Sequence, residues 1–347
     1  MDNLLTFFER WIQLKSTNQC IKAGQILCFL GFGGSGALAI VSAVKGVPLA
    51  VEWSAGNSVV LSLVAGVIGV ILLVIGAFIP PQSAKSTLVT LMGIPGVSTN
   101  VPDKAVGKPY SLYNPRHYNF SLNKLDPVAM VGKLNNYCRH LVDDQIINDS
   151  KNGKVFFAGL ARVPCLFAIG TMFRSSAVDV EPLERFRNPD KWARLKLFKG
   201  AENKYACDGS PQELVSSCGQ IGIAISLTDE ISTGQLPDDI RDHCMSIKLT
   251  PMCKREAIST LHNLHDFSKK FQKLLDECSR VANTIHLFVC AQSSAVFEMG
   301  RVYQEGMHCR VLIHNFTPGE GYTWAIEIDK GSLRYIGNSG DSLLNSS

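Results

Sequence analysis

Two short turns carry the residue types best suited to holding a small anionic ligand. Ala161, Arg162 and Val163 follow the apolar run 154–160, and Gln292, Ser293 and Ser294 follow the apolar run 285–291. Each run reads as a buried strand and the stretch behind it as a helix. Free backbone N–H groups at the helix start, with small polar side chains beside them, would then face a ribose phosphate. An ordinary helix cap by Ser293 or Ser294 uses the same residues with no ligand. Between the turns, Arg185, Arg187, Lys191 and Trp192 set cations beside an aromatic ring, a combination that suits phosphate pairing and base stacking or, equally, a solvated helix face. Thr228 and Asn315 follow further apolar runs, where ligand contacts concentrate and strand ends also need capping. Tyr322 offers a ring to a base or to the core.

Other chemistry finds less support. His262 and His265 share one face of a predicted helix, but two ligands do not make a site. No HExxH pattern and no nearby Cys or carboxylate spacing completes a tetrahedral zinc set, so no metal is expected. The absence of GxSxG, Walker A and paired-carboxylate motifs argues for a receptor rather than an enzyme. The 11 cysteines are odd in number and lack zinc-finger spacing, which reads as reduced thiols rather than a disulfide framework. With 34 basic against 30 acidic side chains, the net charge of +4 excludes a general binder of DNA or RNA, and any nucleotide site must be local.

The elements that must position these residues follow from hydrophobic periodicity. Residues 127–147 have helical spacing (Val128, Val131, Leu134, Cys138, Leu141), 154–160 reads as a buried strand, and Pro164 suits the first turn of a helix over 165–173. Runs 221–227 and 311–313 predict two more buried strands, and 255–281 a long amphipathic helix. Strands alternating with helices give an α/β domain with a largely parallel sheet. An internal echo sharpens this: Ala161 and Ala291, Phe167 and Phe297, and Gly170 and Gly300 are each 130 residues apart. Two strand-turn-helix units in tandem are expected, facing one shared crevice.

The N-terminal part has a different solvent. Residues 25–44 and 58–80 hold no charge, and each run is long enough to span about 30 Å of hydrocarbon as a helix. A transmembrane hairpin is therefore expected within 1–85, after an amphipathic start over 1–22. Arg10, Lys15, Lys22 and Lys85 flank the runs, which puts both ends of the hairpin on the cytoplasmic side. Glycines such as Gly31, Gly33, Gly34, Gly66 and Gly69 suit either a tight hairpin or packing between chains. Residues 86–121, rich in Pro, Ser, Gly and Asn, read as a linker, 122–337 as the cytosolic domain and 338–347 as a disordered tail.

The stretch from Ile285 through Gly300 to Tyr303, then Val311 to Phe316 and Tyr322 to Ile328, resembles the SAVED domain, and 155–172, 185–195 and 221–228 fit the same family. The resemblance covers about 125–336. SAVED domains are two fused CARF-like Rossmann-type units and serve as sensors in bacterial CBASS antiphage systems. The resemblance implies that a cyclic oligonucleotide, often a cyclic trinucleotide made by a CD-NTase, is the activating ligand. It further implies self-association on binding and, for effectors with a transmembrane hairpin, disruption of the lipid bilayer that aborts phage infection. A membrane-anchored CARF-like ring nuclease is the enzymatic alternative.

Overall fold

The computed structural model describes residues 64, 66–71 and 86–337, except 95–99, 108–109, 114, 151–152, 175–177, 188–189 and 198–201. The chain divides into two units, residues 1–85 and 86–347. In the first, the described positions are helical and expose Val67, Ile68, Val70 and Ile71. The rest of the two runs expected to cross the membrane, the amphipathic start and the tail lie outside the described residues. No helix among the described residues is long and apolar enough to cross a membrane.

The second unit begins with a strand where a linker was expected. β1 (Ser86–Met92) is buried along its whole length and lies between β2 (Arg116–Ser121) and β3 (Lys154–Leu160), parallel to both. Its sequence STLVTLM is uncharged and rich in β-branched and apolar residues, the composition of a strand covered on both faces. The Pro- and Gly-rich segments flanking it hide that signal. Between β2 and β3, a helical segment α1 runs over residues 127–149, opening with Asp126 Oδ1 accepting from the Ala129 amide at 2.8 Å and with Pro127 in its first turn. Its core-facing residues Leu134, Cys138, Val142 and Ile146 step by four, wider than the 3.6 residues of an α-helical turn. Two π-helical stretches, Leu134–Cys138 and Val142–Ile146, keep that stripe on one face.

After β3 come α2 (Val163–Met172), the hairpin of β4 (Asp179–Arg187) with β5 (Asp190–Arg194), and β6 (Lys204–Asp208). β7 (Gln220–Ser226), β8 (Cys244–Thr250), α3 (Leu261–Ser279), β9 (Thr284–Cys290) and α4 (Ser293–Val302) follow, and the strands β10 (Arg310–Thr317), β11 (Gly321–Asp329) and β12 (Ser332–Gly337) close the chain. These strands form two sheets. The first has the order β2-β1-β3-β4-β5 and is parallel except for β5; the second, β12-β11-β10-β9-β7-β8-β6, is parallel over β10-β9-β7-β8 and antiparallel at its edges. The long helix expected from Arg255 starts only at Leu261, where Thr260 Oγ1 accepts from the Asn263 amide at 3.1 Å.

The 130-residue echo has a structural counterpart. The repeated units β3-α2 and β9-α4 belong to different sheets, and α2 packs on α4 in one continuous core. Residues 164–172 of α2 are all buried, so the helix is apolar on every side. Gly170 and Gly300 meet at the crossing: a Cβ on Gly170 would collide with the Phe297 carbonyl, and one on Gly300 with the Phe167 carbonyl. Phe297 also stacks on Phe157 of β3 with ring centroids 3.9 Å apart.

Two polar features accompany this core. Glu181 of β4, 3% exposed, pairs with Lys154 of β3 at 2.7 Å and with both the Nε and Nη2 of Arg194 of β5, at 2.5 and 2.7 Å. Burial opposes the Lys154 ammonium, but Glu181 and Asp179 outweigh it and hold its pKa above the usual lysine range. On the face of the second sheet away from the main core, Phe288, Tyr322, Ile231, Leu236 and Ile240 form a separate apolar cluster. Beside it His286 Nδ1 lies 3.1 Å from His314 Nε2, and Phe288 stacks on His314.

Candidate functional site

A cleft of about 520 Å³ opens where the carboxyl ends of β3, β4, β7 and β9 meet the start of α4. This is the place at which α/β sheets bind ligands, outside the strand ends where connections diverge. Arg185 and Arg187 enter it from β4, Thr228 and Asp229 from beyond β7, and Ala291, Gln292 and Ser293 from the β9-α4 turn. Leu160 at the end of β3, Glu184 of β4, and Arg255 and Glu256 of the segment before α3 complete the wall. Three guanidinium groups in one concave site suit phosphate oxygens, which they meet with paired N–H donors.

The start of α4 is already satisfied by a protein carboxylate. Glu184, 5% exposed, accepts through Oε2 from Ser294 Oγ at 2.5 Å and from the Ser294 amide at 3.2 Å. Burial pushes the Glu184 carboxyl above the usual carboxylate range, against the stabilising hydrogen bonds from Ser294. This contact joins β4 of the first sheet to α4 beside the second, and it caps the helix from a distant part of the chain. Neither Ser293 nor Gln292 caps α4 with its side chain.

Two further contacts shape the walls. The amides of Leu227 and Thr228 both donate to the Cys290 carbonyl, at 2.9 and 3.1 Å, which ties the ends of β7 and β9 together. Gln292, 8% exposed, accepts from the Ile258 amide at 2.5 Å and donates through Nε2 to the Ile258 carbonyl at 3.1 Å.

Of the residues proposed from sequence as ligand contacts, the cleft brings together Arg185, Arg187, Thr228, Gln292 and Ser293. Others belong elsewhere. Ser294 is buried against Glu184. Ala161 is buried beside Gly93 and Leu122, and Arg162 and Val163 begin α2 without lining the cleft. The segment 185–192 is no helix face but a β-hairpin, with Lys191 exposed on β5 and Trp192 buried among Leu88, Tyr110, Phe156 and Leu183. Asn315 lies inside β10 rather than after it, buried at a register shift where Nδ2 donates to Thr317 Oγ1 at 3.3 Å. Tyr322 packs edge-on against Phe288 and Phe316, beside a separate open hollow. Leu160 and Ala291 end the two apolar runs read as strands, whereas Glu184, Asp229, Arg255 and Glu256 carry no motif that marks them in the sequence.

His262 faces Asp266 one turn along α3, and no group of three His, Cys, Asp or Glu side chains among the described residues is placed to hold a metal ion.

Comparison with known proteins gives three findings. The family model of the SMODS-associated and fused to various effectors sensor domain, SAVED, matches residues 138–328. No curated protein matches the chain. Among solved structures, the chain is similar to the Acinetobacter baumannii Cap4 SAVED/CARF-domain containing receptor with the cyclic trinucleotide 3′3′3′-cAAA, at 12% identity and a TM-score of 0.46, covering 79% of this chain and 59% of that one. The same receptor with 2′3′3′-cAAA gives 13% identity, a TM-score of 0.43 and coverage of 78% and 56%; without a named ligand it gives 13%, 0.37, and 92% and 77%. The chain thus spans less than two thirds of the length of the first two structures it matches. The family model takes in more than half of the 347 residues, and the protein belongs to the SAVED family of sensor domains.

Proposed function

We propose that the cleft between the two sheets binds a cyclic oligonucleotide, in the class of a cyclic trinucleotide, and that the protein is a CBASS-type receptor rather than an enzyme. The observation that carries the reading is the convergence of Arg185, Arg187 and Arg255 with the β9-α4 turn in one concave site. Membership of a sensor family and the ligands named for the Acinetobacter baumannii receptor support the ligand class. A ring of phosphodiesters presents several anions at fixed spacing, which a wall of guanidinium groups meets at low cost in ordering.

In this reading a CD-NTase supplies the nucleotide, binding drives self-association, and the apolar runs 25–44 and 58–80 form a hairpin in the bacterial inner membrane with both termini cytoplasmic. Association raises the local concentration of hairpins, whose glycine-rich faces pack between chains and disrupt the bilayer. The test is dye release from vesicles carrying the full chain. Addition of 3′3′3′-cAAA or another cyclic di- or trinucleotide should release dye while the nucleotide is recovered intact. Sealed vesicles with bound nucleotide contradict the membrane step, and a linear product contradicts the receptor step.

A further inference from the structure

Residues 251–260 connect β8 to α3 without a helix or strand of their own; Asn203 Nδ2 donates to the Ala257 carbonyl at 2.6 Å and the Lys196 amide to the Ser259 carbonyl at 3.1 Å, and two further fastenings flank Arg255 and Glu256. At the first, the Lys254 amide donates to the Leu227 carbonyl at 3.0 Å and Cys253 Sγ donates to the Ser226 carbonyl at 3.3 Å, both at the end of β7. At the second, Gln292 grips Ile258 with both ends of its amide, as a neighbouring strand would. Ala257 and Ile258 are buried, whereas Arg255 and Glu256, between the anchors, are exposed and line the cleft.

Gln292 occupies the position before α4 at which a short polar side chain normally satisfies the first-turn amides. Its side chain is turned away from the helix and spent on the strap. Arg255 has no ion-pair partner among the described residues. An arginine on a free loop would lose side-chain and backbone entropy on meeting an anion, and a fastened backbone has already lost part of it.

We infer that Gln292 is a positioning residue: it holds the strap 254–258 so that Arg255 is presented to a phosphate in the same cleft as Arg185 and Arg187. This rests on the cyclic-oligonucleotide reading of the cleft. It replaces direct ligand contact as the role of Gln292 and says what holds Arg255 in the cleft.

The experiment combines amide exchange with a double-mutant cycle on the full chain in detergent micelles, using 3′3′3′-cAAA as probe. Gln292→Ala should speed exchange of the Ile258 amide by more than about tenfold, because its acceptor is gone. Gln292→Ala and Arg255→Ala should each weaken probe binding by about tenfold, and the double variant should bind no more weakly than Arg255→Ala alone. Gln292→Glu, which keeps the acceptor and loses the donor, should fall between wild type and Gln292→Ala. Unchanged exchange in Gln292→Ala, or losses that multiply to about a hundredfold in the double variant, would overturn the inference. Faster exchange in Gln292→Ala with no probe binding by wild type supports the strap and counts against the cyclic-oligonucleotide reading instead.

Discussion

Arg185 and Arg187 stand on one strand at alternate positions, and Arg255 reaches the same cleft from a segment 70 residues later. A charge-assisted hydrogen bond contributes about 1.5–3 kcal/mol, so Arg185→Ala or Arg187→Ala should weaken nucleotide binding roughly 10- to 100-fold in a titration. The salt dependence of binding should become shallower with each; full affinity and an unchanged salt slope would remove that arginine from the site. The histidine pair makes a separate prediction. Burial lowers the His286 pKa, and burial followed by His286 lowers that of His314 to about 3. His314 is neutral in the folded protein and takes up a proton in the unfolded chain below about pH 6.5, so its contribution to stability is complete above that pH and falls as the pH drops toward 3, and His286 acts in the same direction. Thermal unfolding of wild type should lose up to about 1.4 kcal/mol per pH unit from His314 as the pH falls from 6.5 to 5. The His286→Leu/His314→Leu variant should lose less, and an equal loss contradicts the assignment. At this scale Thr228, Gln292 and Ser293, which line the cleft, were legible from the apolar runs they follow, and Arg185 and Arg187 only as a basic segment that suited a helix face equally well. Arg255, Glu256 and Asp229 stayed hidden because irregular segments have no period. Trp192, Ser294, Asn315 and Tyr322 show the converse: a polar or aromatic type that suits a ligand is often spent on packing or on a local hydrogen bond.

Strands β3 and β9 were legible because buried parallel strands are short unbroken apolar runs. β1 has the same composition, but its Pro- and Gly-rich surroundings resemble a connector, and only its pairing with β2 and β3 gives it away. The start of α3 was misplaced because charged residues 254–256 suit a helix surface and an exposed loop equally well; the cap at Thr260 sets the boundary. The α2-α4 crossing tests the element scale. Gly300→Ala places a methyl against the Phe167 carbonyl of the partner helix, and backbone cannot yield as a side-chain tip can. A loss of about 1–3 kcal/mol is expected in denaturant unfolding, the cost typical of overpacking. A neutral effect would mean that the helices separate without penalty.

For the whole molecule, the 130-residue echo led to an expectation of two units whose turns face one crevice; the structure packs their helices against each other, but only one of the two turns enters the cleft. The two units are unequal at the site. The β9-α4 turn forms part of the cleft wall, while the β3-α2 turn contributes only Leu160, from its strand end. Glu184 ties the halves together by capping α4 from the first sheet, an interaction between residues 110 apart that no local pattern announces. The most direct test is calorimetric titration of the full chain with a panel of cyclic di- and trinucleotides. The account predicts saturable binding of one member, lost when Arg185 and Arg187 are both replaced by Ala; no binding across the panel, or binding that survives that double replacement, would contradict it.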